Sequence, residues 1–145
     1  MKQILTGRFR GAHHSIQVEC YPKTAQIKVL LHSACHEPII ITQNLGQALP
    51  LYQTFLAEDM LDLCDNGFMG FMEENNLGYI ADYKRYDTNV FTGQPRQIAA
   101  VFQFDGNVLK QFDPMGCARY ECHYFQQKRR LDRRLAARSV YAVRA

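Results

Sequence analysis

The pattern of apolar and polar positions changes period twice along the chain. Residues 15–21 alternate polar and apolar, as a half-buried strand does. Residues 25–31 repeat the alternation after Pro22 and Lys23, which suit a turn, so the two segments predict a hairpin. Residues 4–10 predict an opening strand, the β-branched run 38–42 a third sheet strand, and 51–56 a further short strand or a connector. Residues 59–63 could begin a turn of helix or end a strand. Phe68, Met69, Phe71 and Met72 fall at helical spacing, with Asn75, Asn76 and Gly78 as a stop signal, so a short helix is predicted over 67–76. Residues 79–83 and 98–104 predict the arms of a long hairpin around a loop at 87–95. Residues 105–107 and 113–116 read as breaks, with 108–112 ambiguous between them. From Cys117 the period becomes helical: Tyr120, Tyr124, Lys128, Leu131 and Leu135 share a face, and no Gly or Pro follows Gly116.

These elements predict an α+β fold: an antiparallel sheet of about five to six strands, a short helix and a long basic C-terminal helix. The α+β domain is expected over 1–116. A basic helical tail over 117–145 is expected to pack on it or extend from it. With 145 residues, 47% hydrophobic and 21% charged, the chain can bury one core without disulfides or metals. Its apolar runs fall far short of the roughly 20 residues a membrane helix needs, so no membrane partner is expected. Five cysteines without a regular framework fit reduced thiols, and the N-terminus lacks the apolar core of a secretory signal. A cytoplasmic location is therefore expected.

Charge divides the chain. Residues 117–145 carry eight basic and two acidic residues, whereas 1–116 carry nine basic and twelve acidic. No Lys or Arg occurs over 29–83, which holds Glu58, Asp59, Asp62, Asp65, Glu73 and Glu74 among its carboxylates. An acidic body with a basic tail suggests a charged macromolecular partner. A bland alternative is a tail that packs against the acidic segment of its own chain or of a second copy, so a homodimer is an open outcome.

Residues able to carry catalysis are sparse. Only three serines occur, none in a Gly-x-Ser-x-Gly turn, and the glycines form no phosphate-binding loop. No enzymatic activity and no cofactor are expected. His32, Cys35 and His36, with Cys117, Cys122 and His123, are ligand types suited to zinc, but their spacing matches no standard finger or ribbon. They read first as buried thiols and surface histidines, and no metal residues are assigned. Two segments suit nucleic acid. Arg129, Arg130, Arg133 and Arg134 form a basic helical patch, and Tyr83-Lys84-Arg85-Tyr86 sets aromatics beside cations that could stack on bases and touch phosphate. The carboxylates Glu58, Asp59, Asp62, Asp65, Glu73 and Glu74 could instead form a negative patch that occupies a basic groove on a protein.

The order Tyr21…Ala25-Gln26-Ile27-Lys28-Val29, Glu37-Pro38-Ile39, Thr42-Gln43-Asn44-Leu45 and Glu73-Glu74-Asn75-Asn76-Leu77-Gly78 resembles an uncharacterised domain-of-unknown-function family. Its members are small proteins of bacterial plasmids, phages and integrative elements. The resemblance implies an accessory protein of a mobile element and supplies no catalytic residue. The leading expectation is therefore a non-enzymatic protein that binds a host or phage protein, such as a defence nuclease complex that it inhibits. The alternative is a nucleic-acid binder acting through the C-terminal helix.

Overall fold

A computed structural model describes residues 3–60, 67–88, 92–93 and 95–144. Its strands are β1 (Ser15–Cys20), β2 (Ile27–His32), β3 (Ile39–Ile40), β4 (Thr42–Gln43), β5 (Gln53–Leu56), β6 (Gly78–Thr88) and β7 (Pro95–Phe104). A 3₁₀ turn covers Glu58–Met60, and the helices are α1 (Phe68–Glu74), α2 (Gly106–Phe112) and α3 (Pro114–Arg144). The fold is α+β, with antiparallel pairing throughout and a long C-terminal helix. Where one sheet of about five to six strands was expected, the described residues form two, in the orders β1-β2-β3 and β4-β5-β7-β6.

The division happens at Ile41. The β-branched run predicted as one strand gives Ile39 and Ile40 to β2 and Thr42 and Gln43 to β5. Fully buried Ile41 sits between, donating its N–H to Val29 O and accepting from Ala57 N. Buried Gln26 and Thr54 tie the sheets together: Gln26 Nε2 donates to Thr54 Oγ1 at 2.6 Å, and Thr54 Oγ1 donates to Ile27 O. One core lies between the layers, with Ile16, Val18, Ile27, Val29, Leu31, Phe68, Phe71, Met72, Phe102, Phe104, Cys117 and Tyr120 among its members. Ala99 and Val101 face the other way on β7 and pack with Leu49 and Phe55 in a smaller cluster, as the period-two alternation requires.

Several expected elements differ. Residues 4–10 form no strand. Gly7, Arg10 and Gly11 take positive φ and fold the segment into turns, leaving only bridges at Ile4–Ser15 and Phe9–Ala12. The hairpin arms run to Thr88 and from Pro95, which pair, so the connecting loop is shorter than 87–95. Asp105 is the N-cap of α2 and not a simple turn: its carboxylate accepts from Asn107 N and Val108 N. The expected break at 113–116 is the start of α3. Pro114 opens the helix, where its missing N–H costs nothing, and Asp113 Oδ1 accepts from Gly116 N at 3.0 Å. The same carboxylate takes Val18 N of β1 at 2.8 Å. Gly116 is required there, because a Cβ would come 2.5 Å from Val18 O.

Candidate functional site

The first turns of α3 belong to the core and its outer half does not. Cys117 and Tyr120 are buried, and Tyr120 Oη accepts the N–H of Tyr52 at 2.8 Å. Tyr52 has a φ of 62°, so its peptide is turned out of strand geometry and its N–H needs this side-chain partner. Tyr124 is half-buried, and Gln127 reaches back to Lys23 O. From Lys128 to Ala137 every residue is exposed. A face that was apolar for packing therefore continues into solvent as Leu131 and Leu135, 41% and 59% exposed.

On this outer half, Arg129, Arg130 and Arg133 surround one open recess of about 300 Å³ with Gln126. Arg129 Nε donates to Phe125 O one turn back, which orients its guanidinium along the helix. Arg134 lies one turn beyond Arg130 on the same helix. The ion pairs among the described residues are Lys28–Glu19 and Lys110–Glu121, and neither involves these arginines.

Tyr83, Lys84, Arg85 and Tyr86 lie on β6, a separate element. Tyr83 is 58% exposed and lines a groove of about 540 Å³ with Ile98, Gln97, Gln43, Leu56 and Glu58. Lys84 is half-buried and Arg85 exposed, while the Tyr86 side chain lies outside the described residues. The carboxylate of Glu58 thus shares a groove with the aromatic that the sequence grouped with cations.

The described acidic candidates do not gather at one place. Glu58 lines the hairpin groove, while Glu73 lines a recess of about 420 Å³ with Asp105 and Tyr79. Glu74 lies against Gly7, where a Cβ would come 2.6 Å from its Oε2. Asp62 and Asp65 lie outside the described residues, as does the Asp59 side chain. The zinc-type residues also separate. His32 Nε2 is hydrogen-bonded to Gln17 Oε1, Cys35 and His36 are exposed after β2, Cys117 is in the core, and Cys122 and His123 face solvent. Among the described residues no three His, Cys, Asp or Glu come together as a metal site would need. Burial pushes the Cys20 and Cys117 thiols up to about 11, so both are protonated at neutral pH. Burial likewise raises the Tyr52 and Tyr120 hydroxyls.

Sequence reasoning missed two features. One is a cleft of about 270 Å³ at the root of the exposed half of α3, where Tyr124, Lys128 and Leu131 face Lys23, Ala48 and Leu49. The helical spacing of Tyr124 and Leu131 was visible, but their partners on the 46–49 loop are not local. The other is the outer edge of β6, which no described strand pairs with.

No helix among the described residues is long and apolar enough to cross a membrane. No family model matches the sequence, and no curated protein and no solved structure matches it either.

Proposed function

We propose that the protein binds a polyanion, nucleic acid by its chemistry, through the outer half of α3. The observation that carries this is the gathering of Arg129, Arg130 and Arg133 around one recess, on a helix exposed on every face from Lys128 to Ala137. Guanidinium groups in that arrangement suit phosphate, which they can hold through two donors at once. An exposed helix is also narrow enough to enter a major groove about 12 Å wide. Among the described carboxylates, Glu58 and Glu73 line different recesses and supply no equivalent focus. The expectation of a mobile-element inhibitor of a defence nuclease rests on the sequence alone.

The test is fluorescence anisotropy with labelled single- and double-stranded DNA and RNA, at low and at physiological salt. The full-length protein is compared with a variant carrying Arg129→Ala, Arg130→Ala, Arg133→Ala and Arg134→Ala. Alanine keeps helix propensity high, so the substitutions remove charge and leave α3 intact. Salt-sensitive binding by the wild type that the variant loses is the expected result. Absence of wild-type binding, or equal binding by the variant, rejects the proposal.

A further inference from the structure

Each sheet has two outer strands, and three of the four are protected. The edge of β1 is covered by α3 and α2, with the Asp113 carboxylate taking the Val18 N–H. The outer strands β3 and β4 are two residues each. The fourth, β6, is eleven residues long, and among the described residues no strand pairs with its outer side. Ala81, Asp82, Tyr83 and Arg85 are exposed along it. A long free edge of this kind is a template for another strand.

The edge carries two marks of what it fits. First, Tyr83 N–H donates to the neighbouring Asp82 Oδ1 at 2.8 Å, and its partner Ala100 is in phase with Phe104, whose N–H turns to Tyr52 O on the β5 side, away from β6. That donor therefore belongs to the outer row, and the carboxylate stands in for a missing strand. Second, the charges favour the same centre. In an antiparallel pair related by a twofold axis through the sheet, cross-strand partners share a face, so one residue must lie opposite its own copy. Centring on Asp82, Lys84 or Arg85 sets like charges directly opposite, which is destabilising. Centring on Tyr83 sets Asp82 opposite the second copy's Lys84, twice by symmetry. Tyr83 is also the residue whose N–H points outward, so this centre forms a hydrogen-bonded pair in which the two Tyr83 residues exchange N–H and C=O. A centre on Tyr86 would also pair opposite charges, but Tyr86 lies opposite Gln97 in the phase that turns its N–H inward to β7, so Tyr83 is the centre that satisfies both the hydrogen-bond phase and the charges.

We propose that β6 is a self-association edge. Two copies of the chain pair antiparallel through it, centred on Tyr83, joining the two four-stranded sheets. Pairing transfers Tyr83 N–H from Asp82 to the second copy's carbonyl and frees the Asp82 carboxylate to face the second copy's Lys84. The irregularity between Ile80 and Asp82 limits the regular pairing to a short stretch, so the dimer is concentration-dependent. The proposal is independent of the nucleic-acid reading, since it uses β6 and not α3.

Sedimentation velocity of the full-length protein over a concentration series tests it. The wild type is compared with Asp82→Lys, with Lys84→Asp and with the double variant. Each single substitution places like charges opposite each other at two symmetric positions and is expected to weaken association by about tenfold or more. The double variant restores opposite charges and is expected to recover the wild-type dimer, which separates a lost pairing from a misfolded chain. A wild type that stays monomeric overturns the proposal. So does a dimer indifferent to both single substitutions, which places association on another surface. Failure of the double variant to recover what the singles lose overturns the Tyr83 register.

Discussion

At the scale of the residue, Asp113 joins two elements with one carboxylate. One oxygen caps α3 at Gly116, and the other takes the Val18 N–H of β1. Removing it leaves both donors short of a partner, so Asp113→Ala is expected to cost about 2–3 kcal/mol, read as a lower urea midpoint at unchanged slope. Tyr120 has a similar part at Tyr52. Tyr120→Phe keeps the ring but leaves the Tyr52 N–H unpaired in the core, a loss of about 1–3 kcal/mol by the same measurement. The thiols set a pH dependence. Cys20 and Cys117 ionise at about 11 in the folded chain against an ordinary 9.0, so the folded state keeps its protons while the unfolded state releases them. Their contribution is complete below pH 9 and is lost as pH rises towards 11. A Cys20→Ala/Cys117→Ala variant is expected to show a shallower alkaline fall in unfolding free energy than the wild type. Neither bond of Asp113 is written in the local pattern. An Asp-Pro pair marks a helix start as readily as a break, and the Val18 donor lies 95 residues away.

At the scale of the element, α3 is one helix with two environments. Its first turns carry Cys117 and Tyr120 into the core, and every residue from Lys128 to Ala137 is exposed. A chain ending at Gln127 keeps the buried turns and is expected to unfold within about 1 kcal/mol of the full chain, whereas one ending at Asp113 loses them and is expected not to fold. Near-ultraviolet circular dichroism through thermal unfolding distinguishes the two. Elements whose own period reports them were legible: β1, β2, α1 and the arms of the β6–β7 hairpin. The segment 4–10 was not, because its apolar residues reach the core through glycine turns that period counting cannot see. The run 38–42 was legible as strand but not as two strands, since the switch at Ile41 depends on β2 and β5 arriving on different sides.

At the scale of the whole molecule, charge and exposure coincide on α3. The basic excess counted over 117–145 is displayed mainly where the helix leaves the body, and Lys110–Glu121 is the only described ion pair that touches the helix. If all four arginines meet phosphates of a duplex, log affinity should fall with log salt at a slope of about 3 to 4, and the fourfold alanine variant should flatten it. A titration across salt concentrations reads this directly. The gathering of Arg129, Arg130 and Arg133 was legible because Arg133 lies four residues after Arg129 and three after Arg130, which makes it a helix-face neighbour of both. The acidic group was different. Glu58 and Glu73 are close in composition and sequence, yet they belong to different recesses, since the fold and not the spacing sets where each one points.

Local periodicity was enough to determine the α+β class, the antiparallel hairpins and the basic helix, because each depends on which residues repeat every two or every 3.6 positions. Only the tertiary structure decided the rest: two sheets in place of one, a helix rooted in the core, Glu58 beside Tyr83, and β6 with no described strand on its outer side. Each of these is a contact, or a missing contact, between segments far apart in the chain. The free energy of such contacts comes from burial and from partners that no local pattern contains.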